Sequence, residues 1–300
     1  MRPPFPEVID SSMIAAFRSC PRKTFLEFFL HWKSKEPNVH LHAGAAYAAG
    51  LEAARRTFFD EGLHSDTAKA RGLEALLATY GDFDCPADSP KSAERTAGAL
   101  EFYFDRYPLE DDDAIPLKLP NGKHAIEFNF AEPIDRKHPE TDEPLLYVGR
   151  MDQCVGKQGL ALGEDDKTAS QLGPSWPRQW DLRSQFTGYV WGAGRAGIHL
   201  DGFLIRGVSI LKTKYDTLEA ITYRPDWQID RWYEQLLRDV DRIIRCWTEG
   251  YFDYNLDHAC TEYGGCTFRA VCLAKDPDQI LEGLYERRRW DPVTRTETKI

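Results

Sequence analysis

Polar and apolar residues alternate over 124–134, HAIEFNFAEPI, and a period of two predicts a β-strand. Residues 148–155 and 160–165 read as two strands on either side of Gly156-Lys157-Gln158-Gly159, and together they predict a β-hairpin. Two more strands are expected over 201–211 and 218–223. Elsewhere the apolar spacing is helical. Met13, Ile14 and Phe17 share a face behind a cap at Ser11 or Ser12. Pro21 opens a second helix whose Phe25, Leu26, Phe28, Phe29 and Leu30 pack inward. An Ala-rich helix over 40–62 carries Leu51, Ala54 and Phe58 at core spacing, and helices follow over 66–80 and 89–107. Residues 181–197 form another. The longest, 226–250, has Trp232, Leu236, Leu237, Val240, Ile243, Ile244 and Trp247 as its buried stripe.

Strands interleaved with helices make this an α/β chain, with core strands near 124–132, 145–155, 159–167 and 201–223. Four segments are expected: N-terminal helices over 1–40, a helical insertion over 41–110, a core over 111–225, and a C-terminal helix with its tail over 226–300. Three hundred residues, 42% of them hydrophobic, can bury a substantial core. No apolar run reaches membrane-spanning length, and MRPPFPEVID lacks the apolar centre of a signal peptide, so a cytosolic protein is expected. The formal net charge of −10 argues against a general nucleic-acid coat protein. It leaves room for an enzyme that binds nucleic acid in a local basic groove. The acidic run 109–113 reads as a solvated linker.

The hairpin carries the chemistry. Asp152 lies on its first strand and Asp165 on its second, with Lys167 two residues on. Strand alternation puts Asp165 and Lys167 on one face and turns Asp166 to the other. Two carboxylates and an amine converging at a strand end suit a Mg²⁺ or Mn²⁺ site for phosphodiester chemistry, the amine orienting water or neutralising phosphate charge.

The wording GRMD … DDKT, with Asp152, Asp165, Lys167 and Thr168, resembles the PD-(D/E)xK nuclease superfamily and is close to its RecB-like branch. That resemblance implies an αβββαβ, restriction-endonuclease-like core with a central mixed sheet. It also implies roles for further residues. Gln185 and Tyr189, four apart on one helix face, match a Q-x-x-x-Y motif that contacts the active site and the DNA strand. The Asp166 main-chain carbonyl assists the metal. A G-x-x-H motif is usual on the preceding helix, and this chain departs from it, because Gly44 is followed by Tyr47. Either that ligand is lost, or Glu52 supplies an oxygen in its place. Glu52 otherwise pairs with Arg55 or Arg56. Glu127 is an outer metal ligand or an outward-facing strand residue. Trp176 and Trp180 stack on bases or fill the core.

Seven cysteines in a cytosolic chain read as metal ligands or free thiols. Cys260, Cys266 and Cys272 are spaced by five residues each, and together with Cys20, in F-x-x-C-P-R-K, they give four thiolates. The iron–sulfur members of the RecB-like group resemble this, with one cysteine near the N-terminus and three near the C-terminus, holding a structural [4Fe–4S] cluster. The usual first gap among the last three is shorter than here. Zinc is the chemical rival. At the tail, YERRRW, 285–290, either touches a nucleic-acid backbone or ends a surface helix. The resemblance implies metal-dependent hydrolysis of DNA, with exonuclease action on single-stranded or end-exposed strands, in a bacterial or phage setting that allows recombination or replication proteins as partners. The rival reading is a non-catalytic iron–sulfur protein that binds DNA or assembles with others on the same scaffold.

Overall fold

The computed structural model describes residues 2–261, 265–294 and 296–299. In chain order it runs β1 (Val8–Asp10), α1 (Ser11–Ser19), α2 (Pro21–Thr24, prolonged by a π turn at Phe25–Phe29) and β2 (Trp32–Ser34). Next come α3 (Val39–Arg55, prolonged by a π turn at Arg56–Asp60), α4 (Ser65–Tyr80) and α5 (Ala93–Arg106). The strands β3 (Ile115–Pro116), β4 (Ile126–Lys137), β5 (Pro144–Lys157) and β6 (Leu160–Ala169) follow, then α6 (Ser184–Arg195), β7 (Gly202–Ile210) and β8 (Tyr215–Tyr223). The remainder is α7 (Asp226–Glu249), α8 (His258–Thr261), α9 (Arg269–Leu273), α10 (Pro277–Leu284), β9 (Tyr285–Asp291) and β10 (Thr296–Lys299). This is a mixed α/β fold around a mixed sheet. No helix among the described residues is long and apolar enough to cross a membrane.

Two compact units divide the chain. One contains 2–37, 129–149 and the described residues from Asp226 on; the other contains 38–128 and 150–225.

In the unit of 38–128 and 150–225, β5 and β6 form the expected hairpin, paired from Lys157↔Leu160 to Gln153↔Glu164. Its turn is shorter than the sequence suggests. Gly156 and Lys157 remain in β5, and Gln158 and Gly159 alone turn the chain, both at positive φ (52° and 82°). Two successive positive φ values make a type I′ turn, whose twist matches that of the strands it joins. β6 then pairs β7 in parallel, from Leu162↔Gly202 to Ala169↔Ser209, and α6 makes the crossover that a parallel pair requires. β8 closes the edge antiparallel to β7. Buried at every position, GFLIRGVSI of β7 reads as the near-continuous apolar run expected of a central strand, with Arg206 as the exception.

Helices α3, α4 and α5 pack as a cluster on Val208 and Ile210 of β7. The buried face of α3 is Ala43, Ala46, Tyr47, Gly50, Leu51, Ala54 and Arg55, a three-and-four spacing. Gly50 and Gly72 let α3 and α4 approach closely: a Cβ on Gly50 would stand 3.0 Å from the Gly72 carbonyl oxygen and 2.7 Å from Leu100 Cδ2. The acidic run is mostly exposed, as expected, and two of its acids also serve as partners. Asp112 takes the guanidinium of Arg206 at both oxygens, and Asp113 takes Lys157. A buried cation needs a carboxylate, and this loop is where the chain supplies it.

In the other unit, β1 pairs the first half of β5 in parallel, Val8↔Leu146 to Asp10↔Val148. Helix α1 is capped by Asp10, not by Ser11 or Ser12: the Met13 N–H donates to Asp10 Oδ1 at 2.7 Å. The buried stripe of α7 is Trp232, Leu236, Asp239, Val240, Ile243 and Trp247; Leu237 and Ile244 are only half-buried. Asp239 is tolerated there because Arg18 Nε donates to it at 2.7 Å. The basic tail is a strand rather than a helix end. β9 lies antiparallel between β2 and β10, with Trp32↔Arg287 in register, and Tyr285 is buried against Phe268.

Candidate active site

Asp152 lies on β5, Asp165, Asp166 and Lys167 on β6, and Gln185 and Tyr189 on α6, all within one unit. The last paired position of the hairpin is Gln153↔Glu164. One residue further, the same register sets Asp152 opposite Asp165. Facing carboxylates on adjacent strands repel, so a sheet built for stability alone avoids them. The chain relieves the repulsion in two ways. Lys167 Nζ forms an ion pair with Asp165 Oδ2. The backbone N–H of Asp166 donates to Asp152 Oδ2 at 2.7 Å.

Asp165 is 4% exposed, while Asp152 and Lys167 are half-buried at the mouth of the site. Burial, and then the charge of Asp165, push the Asp152 carboxyl up to about 6, against the pull of Lys167 and of the Asp166 amide. Asp165 is also raised, by burial, with Lys167 opposing. Burial works against the charge of Lys167, but Asp165 and Asp152 outweigh it, so its amine titrates above the ordinary range and stays protonated at neutral pH. Two raised acids beside a held cation are a signature of sites that bind or transfer charge.

Helix α6 lies on the same face. Gln185 Nε2 donates to Tyr189 Oη at 3.0 Å, and Tyr189 is among the groups whose field acts on Lys167. Arg183, at the start of α6, acts on Asp165. Sequence reading missed Arg183; its place immediately before the helix carrying Gln185 was the available signal.

Other expectations fare differently. Asp166 turns its side chain to the opposite face and pairs with Arg55, as alternation requires, leaving only its main chain toward the site. Glu52 takes Arg56 at 3.0 Å along α3, and Glu127 takes Arg150 at 2.7 Å. Each acid is thus engaged by an arginine, and the facing pair Asp152 and Asp165 is what the site offers a cation. Tyr47, at the position of the missing histidine, is 2% exposed; its hydroxyl has no hydrogen-bond partner among the described residues, and burial, with Asp166 adding to it, holds it well above its ordinary range. Trp176 corrects the stacking expectation. It is 6% exposed, edge-on to Trp180, and it covers Gly207, where a Cβ would stand 2.5 Å from its ring. A ring closed on the sheet has no face left for a base. Trp180 is buried as well.

In the other unit, Cys20, Cys260, Cys266 and Cys272 line one cavity of about 130 Å³, together with Arg22, Lys23 and Phe268. Cys20 sits in extended backbone between α1 and α2, and the Asn255 N–H points at its Sγ from 3.5 Å. The Cys266 N–H donates to the Cys260 carbonyl at 3.1 Å, which folds the two cysteines toward each other. Burial and the neighbouring thiols of Cys266, Cys20 and Cys260 raise the Cys272 thiol. All seven cysteines are free of disulfides. Cys85 and Cys246 do not line this cavity. Among the described residues, no group of three or more His, Cys, Asp and Glu side chains is drawn tightly enough to grip a single metal ion.

No protein-family model matches the chain, and no curated protein matches it. Among solved structures, a "Putative exonuclease" from Eubacterium rectale superposes with a TM-score of 0.50 at 14% identity, covering 86% of this chain and 88% of that one. At that identity the likeness is one of fold. A looser match, to the crystal structure of SSO0001, has a TM-score of 0.31 at 13% identity over 77% of this chain and 85% of the other, and carries no argument.

Proposed function

We propose that the chain is a metal-dependent DNA nuclease with a PD-(D/E)xK core of the RecB-like branch, an exonuclease on single-stranded or end-exposed DNA. The observation that carries this reading is the meeting of Asp152, Asp165 and Lys167 where β5 and β6 stop pairing. The fold likeness to an exonuclease-named structure agrees with it.

The donor set fits a hard divalent cation. Two carboxylates that face each other, both with raised proton affinity, gain from a shared dication in place of a shared proton. Asp152, Asp165 and the Asp166 main-chain carbonyl would hold it. Mg²⁺ or Mn²⁺ bound there supplies a Lewis acid and an activated water for attack on phosphorus. The protein's own groups do the rest. Lys167 keeps a positive charge beside Asp165, so it can orient the nucleophile and offset charge growing on the phosphate. Gln185 and Tyr189 fix each other by their hydrogen bond and present a polar edge to the strand. Arg183 adds a cation on an otherwise acidic chain, at the place where a backbone phosphate would lie.

The second element of the proposal is a structural [4Fe–4S] cluster on Cys20, Cys260, Cys266 and Cys272. Four thiols around one cavity, with Arg22 and Lys23 beside them, suit a polynuclear anionic cluster. Zinc would use the same sulfurs and is separated by metal and sulfide analysis.

The test is an anaerobically purified protein assayed with Mg²⁺ or Mn²⁺ on 5′- and 3′-labelled single- and double-stranded DNA. Metal-dependent release of short products is expected, and lost in Lys167→Ala. Cleavage undiminished in Lys167→Ala refutes the assignment. DNA binding with no cleavage under any metal favours the non-catalytic reading.

A further inference from the structure

One guanidinium holds both neighbours of Asp165. Arg55, on α3, donates from Nη1 to Asp166 Oδ2 at 2.7 Å and from Nη2 to Glu164 Oε1 at 2.8 Å. The same Nη2 reaches Tyr103 Oη at 2.7 Å. Glu164 and Asp166 flank Asp165 in β6, and alternation turns both of them away from the face that Asp165 and Lys167 share. On that rear face a second arginine backs the first. Arg206 of β7 stands 3.7 Å from Glu164 and is itself held by Asp112.

Stability alone does not account for this network. The side chains of Arg55, Glu164, Asp166 and Arg206 are each 4% exposed or less. Burying such charges carries a large desolvation cost, and apolar side chains of like volume often serve the fold as well or better. The surrounding surface of α3 and α5 is already apolar, so a hydrophobic filling was available. The ladder to β7 holds the backbone of β6, but an apolar contact gives the side chains of 164 and 166 no fixed direction. A planar fork bonded to residues 164 and 166 gives them one, because its donors have fixed directions.

We infer that Arg55 is a positioning residue that clamps β6 from behind and thereby aims the cation-binding carboxylates. Its hold on residues 164 and 166 sets the direction in which Asp165 and Lys167 project. Its hold on Asp166 also fixes the backbone N–H that grips Asp152 Oδ2. Both carboxylates are thus oriented through one buried side chain that touches neither. This inference rests on the proposed cation site.

The experiment measures Mn²⁺ affinity by electron paramagnetic resonance, with no DNA present, alongside thermal melting of the metal-free protein. Two variants are compared with the wild type. Arg55→Lys keeps the buried charge but cannot span two carboxylates. A triple variant, Arg55→Met with Glu164→Gln and Asp166→Asn, removes the charges together. Both are expected to bind Mn²⁺ about 10- to 100-fold more weakly, as for other groups that orient metal ligands. Because Arg206 keeps Asp112 as its partner, the triple variant is expected to stay folded. Wild-type Mn²⁺ affinity in Arg55→Lys overturns the inference, and that variant decides alone if the triple variant does not fold. A wild-type protein that binds no Mn²⁺ refutes the cation site itself, which is a separate result.

Discussion

The main-chain N–H of Asp166 donates to the side chain of Asp152, at 2.7 Å, across two strands that have just ceased to pair. In a regular ladder that amide would serve the sheet or lie open to solvent. Here it holds one of two facing acids in place, so the spot where the hairpin opens is also the spot where its charge is concentrated.

That concentration has a pH signature. The folded Asp152 value of about 6 exceeds its ordinary 3.8. Between those values the folded chain keeps a proton that the unfolded chain has released, so this group's contribution to stability falls as pH rises through the window. The metal-free protein is expected to melt lower at pH 7 than at pH 5, with Mg²⁺ recovering most of the loss at pH 7 and little at pH 5. Asp152→Asn should flatten both effects. Melting curves across pH, with and without Mg²⁺, check this; a pH-independent melting temperature in the wild type contradicts it.

The hydroxyl of Tyr189 receives the Gln185 amide and lies close enough for its field to act on Lys167. Tyr189→Phe removes the acceptor of the Gln185 amide while keeping the ring that packs near Phe203. A loss of about tenfold in kcat/KM is expected, the equivalent of one hydrogen bond of roughly 1.4 kcal/mol, with the melting temperature little changed. Single-turnover kinetics would separate that from a folding defect.

Trp176 provides the opposite case. Truncating a ring closed over Gly207 should destabilise the fold by about 3–5 kcal/mol. DNA affinity of the folded Trp176→Ala protein, measured well below its melting temperature, should match the wild type. A large affinity loss without destabilisation would restore the stacking role that the structure takes from it.

For the cysteines, Cys266→Ser is expected to abolish the visible charge-transfer absorbance and to lower iron from about four per chain toward zero. Metal-site mutations of this kind uncouple a structural clasp, so protease sensitivity near the C-terminal cysteines should rise. One zinc per chain, no colour and no acid-labile sulfide in the wild type would assign the cavity to zinc instead.

The sequence stated the elements well where one period dominates over many residues. The strand of 124–134 and the stripe of 226–250 came from spacing, because a half-buried surface forces that spacing on the chain, and β7 from its continuous apolar run. It misjudged places where a partner distant in sequence decides. Asp113 and Asp112 read only as solvent-facing, since nothing nearby in the chain announces Lys157 or Arg206. The 285–290 strand looked like a helix end, since its partners Trp32 and Lys33 lie at the other end of the chain.

For the site, the chain itself determined that Asp165 and Lys167 share a face and Asp166 does not, because strand geometry has a fixed alternation. It also set the order of the cysteines along the chain. Only the folded arrangement decided that Asp152 comes opposite Asp165, that Glu52, Glu127 and Trp176 have other work, and that Arg55 stands behind the strand. The pairing of Asp152 with Asp165 depends on hairpin register, and the Arg55 clamp on packing between segments about a hundred residues apart, which no local run of side chains encodes.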